Sequence, residues 1–310
     1  MPVNNERPPV KRLVTKKFDR EAKNLTLVNN LDAIDVELLD HTSLTSLTKF
    51  IPEYVLATWS DSPKEFTANL SLGERLDVVN DTFHGKFLPT ALEAISLTFR
   101  IDGMSYIDVT HLIRHRTGSF SAQCTADRFL QSDIHCIPSS IQESEYAKEY
   151  EELTTKCKQL YTKMIADKQI SIMDARYILP RNSTCFYYVR FNIKDAIAFI
   201  RQRIDRQIQP MSDNVIAYKM YMEILKAYPC LFDMVDIDIP PMHYMKTTMS
   251  PYTTGLHQPE EKWDNFEYNE EDFLYGRRDW PKEFKRVYDK TKIAIIEAQR
   301  TWERIKNEAN

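Results

Sequence analysis

Glycine is scarce in this chain, with six in 310 residues, and none lies in a G-x-G-x-x-G or Walker-type phosphate loop. Nucleotide binding of the Rossmann or P-loop kind is therefore excluded, because both need glycines where backbone approaches phosphate. Cysteine is also sparse. Cys124, Cys136, Cys157, Cys185 and Cys230 form no C-x-x-C pair, and the odd count suits reduced thiols in a cytoplasmic protein. His135 and Cys136 are adjacent, but no second pair has ligand spacing, so no metal site is expected. No apolar run is long enough to span a bilayer and no signal-peptide pattern is present, so neither membrane insertion nor export is expected. The net charge of −4 gives no global electrostatic basis for binding nucleic acid.

What remains is ordinary globular material. Apolar residues make up 43% and charged residues 28%, in a length that can bury a substantial core. Residues 1–32 are polar, with a basic cluster at Lys11, Arg12, Lys16, Lys17 and Arg20, and are expected to form a flexible arm. Strand patterns occur at residues 34–40, at SLTFRI and at CFYYVRFNI. Helical patterns cover LTSLTKFIPEYVLATW, with a break or start expected at Pro52, and LGERLDVV, MSYIDVTHLIRHR and residues 144–167. Two more helices are expected at KDAIAFIRQRI and SDNVIAYKMYMEILKAY, with Pro210 between them. Strands and helices without a βαβ rhythm predict an α+β fold around a mainly antiparallel sheet with flanking helices. Residues 233–310 are expected to be an extension: an irregular wrap rich in proline, tyrosine and acid, then an amphipathic helix carrying Phe284, Val287, Tyr288, Ile295, Trp302 and Ile305 on one stripe.

The densest chemical signal is RHRTGSFSAQCTADRF at residues 114–129. Consecutive helical side chains point in different directions, so Arg114, His115 and Arg116 suit an element's end, where they can fan out over one large anion. A solvated basic turn is the plainer alternative.

SLTFRIDGMSYIDVTHLIRHRTGS, followed about sixty residues later by DARYILPRNSTCFYYVRFNIKDAIAFIRQRID, resembles the flavin-dependent thymidylate synthase family across residues 33–232. The first block is similar to that family's RHR-x-x-S motif with the strand and helix before it. The second is similar to its A-R-x-x-L-P element, Asn-x-Arg step and arginine-ended helix. The resemblance implies the family's fold and a homotetramer with sites between subunits. It also implies FAD, with NADPH and methylenetetrahydrofolate as co-substrates, and one-carbon transfer to a pyrimidine nucleotide such as deoxyuridylate. Flavin carries the redox chemistry there, while protein supplies binding, orientation and charge.

Carried over residue by residue, the resemblance implies cofactor contacts for Thr90, Arg114, His115, Arg116, Ser119, Asn192 and Lys194, the last standing for an arginine. It implies substrate contacts for His111 (in place of a glutamine), Arg114, Cys124, Arg128, Arg176 and Arg203. Arg203 is also the implied catalytic residue, a fixed cation that stabilises negative charge developing on the pyrimidine. Ser121, Ala122 and Cys124 replace the motif's asparagine, glutamate and second serine. A pocket so altered could favour another pyrimidine nucleotide or a hydroxymethylated product. The same changes could also mark a non-catalytic binding or assembly protein. Cys124 is open to two readings: a nucleophile activated by nearby arginines, or a small serine substitute. Arg176 could equally be a salt-bridge partner, and Arg203 part of a charged helix face.

Overall fold

The computed structural model describes residues 25–122, 134–167, 169–205, 209–238 and 280–309. Two strands, β1 (Thr26–Asn29) and β5 (Ile134–Ile137), pair in parallel as a small sheet of their own. The main sheet is antiparallel throughout. It contains β2 (Asp35–His41), β3 (Ser96–Ser105), β4 (Ser119–Ala122) and β6 (Thr184–Asn192) in the order β2-β3-β6-β4. Alternation along the strands sets its inner face. Leu97, Phe99 and Ile101 of β3 are buried, as are Tyr187, Val189 and Phe191 of β6. The α+β arrangement expected from the sequence is the one observed.

The helix Met211–Ala227 lies against this face, with Val215, Ile216, Ala217, Tyr218, Met220, Tyr221, Ile224 and Leu225 all buried and Lys226, in its last turn, exposed. The unbroken buried run 212–218 needs cover all round. The sheet and the helix Ile193–Arg203 supply part of it, and the helix Lys282–Ala309 supplies the rest. Phe284 and Tyr288 meet Tyr218 edge-on, with ring centroids 5.9 and 6.0 Å apart. The terminal helix thus packs into the same hydrophobic core as residues 33–232. The expected irregular wrap falls mostly outside the described residues. At the other end, residues 26–32, expected to close the flexible arm, form β1 and a short helix that buries Leu31.

Pro52 does not break or start a helix. It sits buried inside the helix Leu44–Leu56. Proline cannot donate to the carbonyl four residues back, here that of Thr48. Arg75 donates to Thr48 O instead, at 3.2 Å, and also bonds Leu70 O and Thr67 O. The orphaned carbonyl is satisfied by a guanidinium from the helix Leu72–Phe83, whose own start is fixed by a Ser71–Glu74 capping box.

Two glycines share a left-handed φ of +73° in different surroundings. At Gly103, in the bulge of β3, an added Cβ would lie 1.8 Å from Ala33 O, whereas at Gly85 it would meet nothing within 4 Å. Gly85→Ala should therefore cost only the conformational strain, roughly 1–2 kcal/mol. Gly103→Ala should cost clearly more, because the backbone of residues 33 and 103 must separate. Denaturant melts of the two variants check this, and equal losses would contradict it.

Candidate functional site

β3 runs directly into the helix Tyr106–Leu112, and Ser105 caps the junction. Asp108 N donates to Ser105 Oγ at 3.3 Å, and Ser105 N donates to Asp108 Oδ2 at 2.9 Å. The Asp108 carboxylate also accepts from Ser212 Oγ at 2.6 Å, tying this helix to the first turn of Met211–Ala227. Burial pushes the Asp108 carboxyl above its ordinary range, and the nearby Asp213 carboxylate pushes it the same way, against these hydrogen bonds.

The helix stops at Leu112, and the basic triplet follows at once. Arg114 and Arg116 are exposed, while His115 turns inward. Its ring meets Phe199 and Phe191 edge-on, with centroids 5.2 and 6.0 Å away. Burial, helped by the Arg203 charge, lowers the His115 pKa, so the ring is neutral at physiological pH. Its Nε2 is buried without a hydrogen-bond partner.

Arg203, the last residue of Ile193–Arg203, is also buried, and its guanidinium lies over the Phe199 ring. Nη1 donates to Gln209 Oε1 at 2.9 Å and to Asp213 Oδ2 at 3.0 Å, and lies 3.2 Å from both ring nitrogens of His111. His111 Nδ1 is 2.7 Å from the same Asp213 oxygen. Asp213 is fully buried, so two nitrogen groups converge on one enclosed carboxylate oxygen. Asn214 fixes the backbone nearby, donating to Arg203 O at 2.6 Å. Unsatisfied buried polar atoms concentrate here: His115 Nε2, Arg203 Nε, Asp213 Oδ1 and Asn214 Oδ1. Such a concentration is what a site completed by water or ligand presents.

His111, His115 and Arg203 are therefore brought together, with Arg114 and Arg116 on the adjoining turn. A second group gathers at the opposite end of Ile193–Arg203. Asn192 caps that helix, its Oδ1 accepting from Asp195 N and its Nδ2 donating to Asp195 Oδ2, both at 2.8 Å. Lys194 is exposed and pairs with Glu93 at 2.8 Å, on the short helix that Thr90 opens. Ser119 is exposed on β4 opposite Arg190. Arg176 stands apart, bonded to Met173 O and lying over the Tyr177 ring, beside the small cluster of Tyr161 and Ala175. Cys124 and Arg128 lie outside the described residues. Asp213, Gln209, Asp108 and Ser212 were not anticipated. The available signal was the Ser-Asp-Asn run opening an otherwise apolar helix.

Residues 37–230 match the family model described as Thymidylate synthase complementing protein. The chain belongs to that family. Among curated relatives, the flavin-dependent thymidylate synthase of Geobacter sulfurreducens is 26% identical over 146 residues, covering 46% of this chain and 62% of the relative. That of Sulfurisphaera tokodaii is 30% identical over 154 residues, covering 46% and 55%. The chain thus spans a little over half the length of these curated relatives. Among solved structures, the UMP/dUMP methylase PolB from Streptomyces cacaoi bound with 5-Br dUMP superposes with a TM-score of 0.51 at 17% identity, covering 66% of this chain and 94% of that one. At that identity the likeness establishes the fold alone. Membership in the thymidylate synthase complementing protein family accounts for the spacing of the two sequence blocks. Among the described residues, no helix is long and apolar enough to cross a membrane.

The inward His115 generates a pH prediction. Its folded pKa is lowered from the ordinary 6.5, so the unfolded chain takes up the proton first as pH falls. The stability it contributes is present above pH 6.5 and is lost as pH falls through that value towards the folded pKa. His115→Phe keeps the ring contacts and removes the titration, so it should lose less stability than wild type between about pH 7.5 and 5.5. Urea melts at stepped pH test this, and parallel curves would refute it.

Proposed function

We propose that this chain is a flavin-dependent one-carbon transferase acting on a deoxyuridylate-type pyrimidine nucleotide, with methylenetetrahydrofolate and NADPH as co-substrates. The observation that carries this reading is the family match over residues 37–230, a span containing every residue assigned above to cofactor or substrate. The chemistry of the donor set supports FAD. Arg114 and Arg116 offer exposed forks for pyrophosphate, and His115 holds a buried ring nitrogen without a partner beside them. Arg114, His115 and Arg116 would hold the cofactor at one end, and Thr90, Ser119, Asn192 and Lys194 at the other. When bound, reduced flavin supplies the electrons and relays the one-carbon unit.

The protein's own share is placement and charge. Arg203 sits in a desolvated pocket, where a fixed cation acts more strongly on charge developing at the pyrimidine than it would in water. His111 and Arg176 are the further nucleotide contacts in this reading, joined by Arg114, Cys124 and Arg128. The contacts of Arg176, to Met173 and Tyr177, do not include the Arg203 group, which fits a pocket completed by a neighbouring subunit. An exposed apolar stripe supports such self-association. Tyr146, Leu153 and Leu160 are spaced seven residues apart along the helix Ala147–Ala166 and its cap, and all are exposed. Exposed acids (Glu149, Glu151, Glu152) occupy the first half of that helix and exposed bases (Lys156, Lys163) the second. An antiparallel second copy would pair acid with base along the stripe. The expected assembly is a homotetramer working in the cytoplasm.

Four measurements test the reading. FAD should bind the apo-protein with fluorescence quenching, more weakly in Arg116→Ala. No binding by wild type would end the flavin assignment. Calorimetry with deoxyuridylate, deoxycytidylate and uridylate should show binding, and Arg176→Ala should weaken it roughly ten- to a hundred-fold, the cost of a lost charge-assisted contact. Products made with NADPH and methylenetetrahydrofolate, identified by mass, report which pyrimidine is modified and how. Light scattering should report a tetramer that falls to smaller species in Leu153→Arg/Leu160→Arg. A wild-type monomer would contradict the assembly.

A further inference from the structure

His84 stands at the C-terminal cap of the helix Leu72–Phe83, where its backbone N–H closes the last turn on Asn80 O. Both nitrogens of its ring meet oxygen. Nδ1 lies 2.7 Å from the same Asn80 carbonyl, and Nε2 lies 2.8 Å from Asp233 Oδ1. A carbonyl and a carboxylate can only accept, so each nitrogen must carry a hydrogen for both bonds to form. The ring that fits this pair is the imidazolium. A helix C-terminus suits it, because its dipole favours a cation and its last carbonyls lack partners.

The surrounding groups favour that charge. On the ring's own helix Asp81 acts on it, itself paired with Lys86 at 2.7 Å, and Asp77 pairs with Lys306 of the terminal helix. The segment after Tyr228 supplies Asp233 and the Cys230 thiol, which burial pushes up to about 12 and so keeps neutral. Burial likewise keeps the Tyr228 phenol neutral, and its ring packs on Phe83 and meets His41 edge-on. Arg201, on the helix Ile193–Arg203, donates to Met234 O from Nε at 3.1 Å and from Nη2 at 2.6 Å. Partial burial opposes a charge on His84, but the Asn80 carbonyl and the Asp233 and Asp81 carboxylates outweigh it and raise the pKa above the ordinary 6.5.

The bond to Asp233 joins two parts of the candidate site's frame. His84 begins the turn that ends at Thr90 and the Glu93–Lys194 pair. Asp233 precedes Met234, whose carbonyl is held by Arg201, two residues before Arg203. A neutral ring has one N–H for two acceptors. Asn80 belongs to the ring's own helix, whereas the Asp233 side chain is 51% exposed and can turn to water, so the Asp233 bond is the one that yields. We propose that His84 is a pH-sensitive latch: the charged ring fastens the turn leading to Thr90 onto the Asp233–Met234 segment, and loss of one ring proton releases that turn and weakens flavin binding. This rests on the flavin site proposed above and adds to it a means of regulation. As pH rises, the unfolded chain gives up this proton first. The stability contributed by His84 is therefore complete below pH 6.5 and is lost as pH rises through the higher folded value, the opposite sense to His115.

The charge state is read without flavin. In protein with 13C-labelled histidine, the His84 ring signals, assigned by their loss in His84→Gln, should titrate with a midpoint above 6.5, and Asp233→Asn should bring that midpoint down. A wild-type midpoint at or below 6.5 would overturn the proposal. Coupling to the site is read by FAD fluorescence quenching at stepped pH from about 6 to 9. Wild-type affinity should fall over that range by about two- to five-fold more than in His84→Gln or Asp233→Asn, as expected of a partly exposed ion pair. A residue that only supports the fold would lower affinity alike at every pH, so equal pH dependence in the three proteins would also overturn it. If His84→Gln does not fold, Asp233→Asn serves alone, as the change that moves one histidine midpoint and flattens the flavin curve. If wild type binds no flavin at any pH, the functional reading falls and the coupling with it, while the midpoint still decides whether the latch is charged.

Discussion

A carboxylate with no access to water needs compensating charge or hydrogen bonds, and Asp213 is the place where this chain meets that requirement. The demand arises from packing. The first two turns of the helix Met211–Ala227 are enclosed on all sides, so the polar residues that open it are enclosed with them. Ser212 reaches Asp108, Asp213 reaches Arg203 and His111, and Asn214 reaches the Arg203 carbonyl. The ends of the helices Tyr106–Leu112 and Ile193–Arg203 are thereby drawn to one point. Removing either partner of such a buried pair leaves an uncompensated charge, commonly a loss of about 3–5 kcal/mol. Core and candidate site are consequently one construction.

Much of this was legible in the sequence, because most elements carry local signals. Alternation in SLTFRI and CFYYVRFNI marks β3 and β6. Pro210 marks the boundary between two helices, and the stripe from Phe284 to Ile305 marks the last one. Pro52 was misleading for a clear reason: the donor that rescues Thr48 O belongs to Arg75, on another helix, and no window centred on the proline contains that information. Asp213 was missed for a related reason. A polar run before an apolar helix is what an exposed N-cap looks like, and only the surrounding packing shows that it is buried. The inward turn of His115 also depended on tertiary contacts, from Phe191 and Phe199. The site positions at Cys124 and Arg128 fall outside the described residues.

The helix Ile193–Arg203 gives the site its scale. Eleven residues at 1.5 Å each span about 16 Å, with Asn192 and Lys194 at one end and Arg203 at the other. Cations crowd the C-terminal end, where Arg201 and Arg203 complement the helix dipole. A ligand lying along this helix would meet a capped amide at one end and the Arg203 guanidinium, lying over the Phe199 ring, at the other. Those are different chemistries, held at a fixed separation by one rigid element.

The contribution of Phe284, Tyr288 and Trp302 to the central core has a consequence for how the protein comes into being. During synthesis the sheet and the helix Met211–Ala227 emerge well before the residues that cover them, so the Tyr218 face is bare for an interval. β1 must likewise wait for β5, more than a hundred residues later. Contacts so distant along the chain slow folding and prolong the exposure of apolar surface. Helper proteins that shield nascent chains would find their target here: a preformed α/β layer waiting for its last helix.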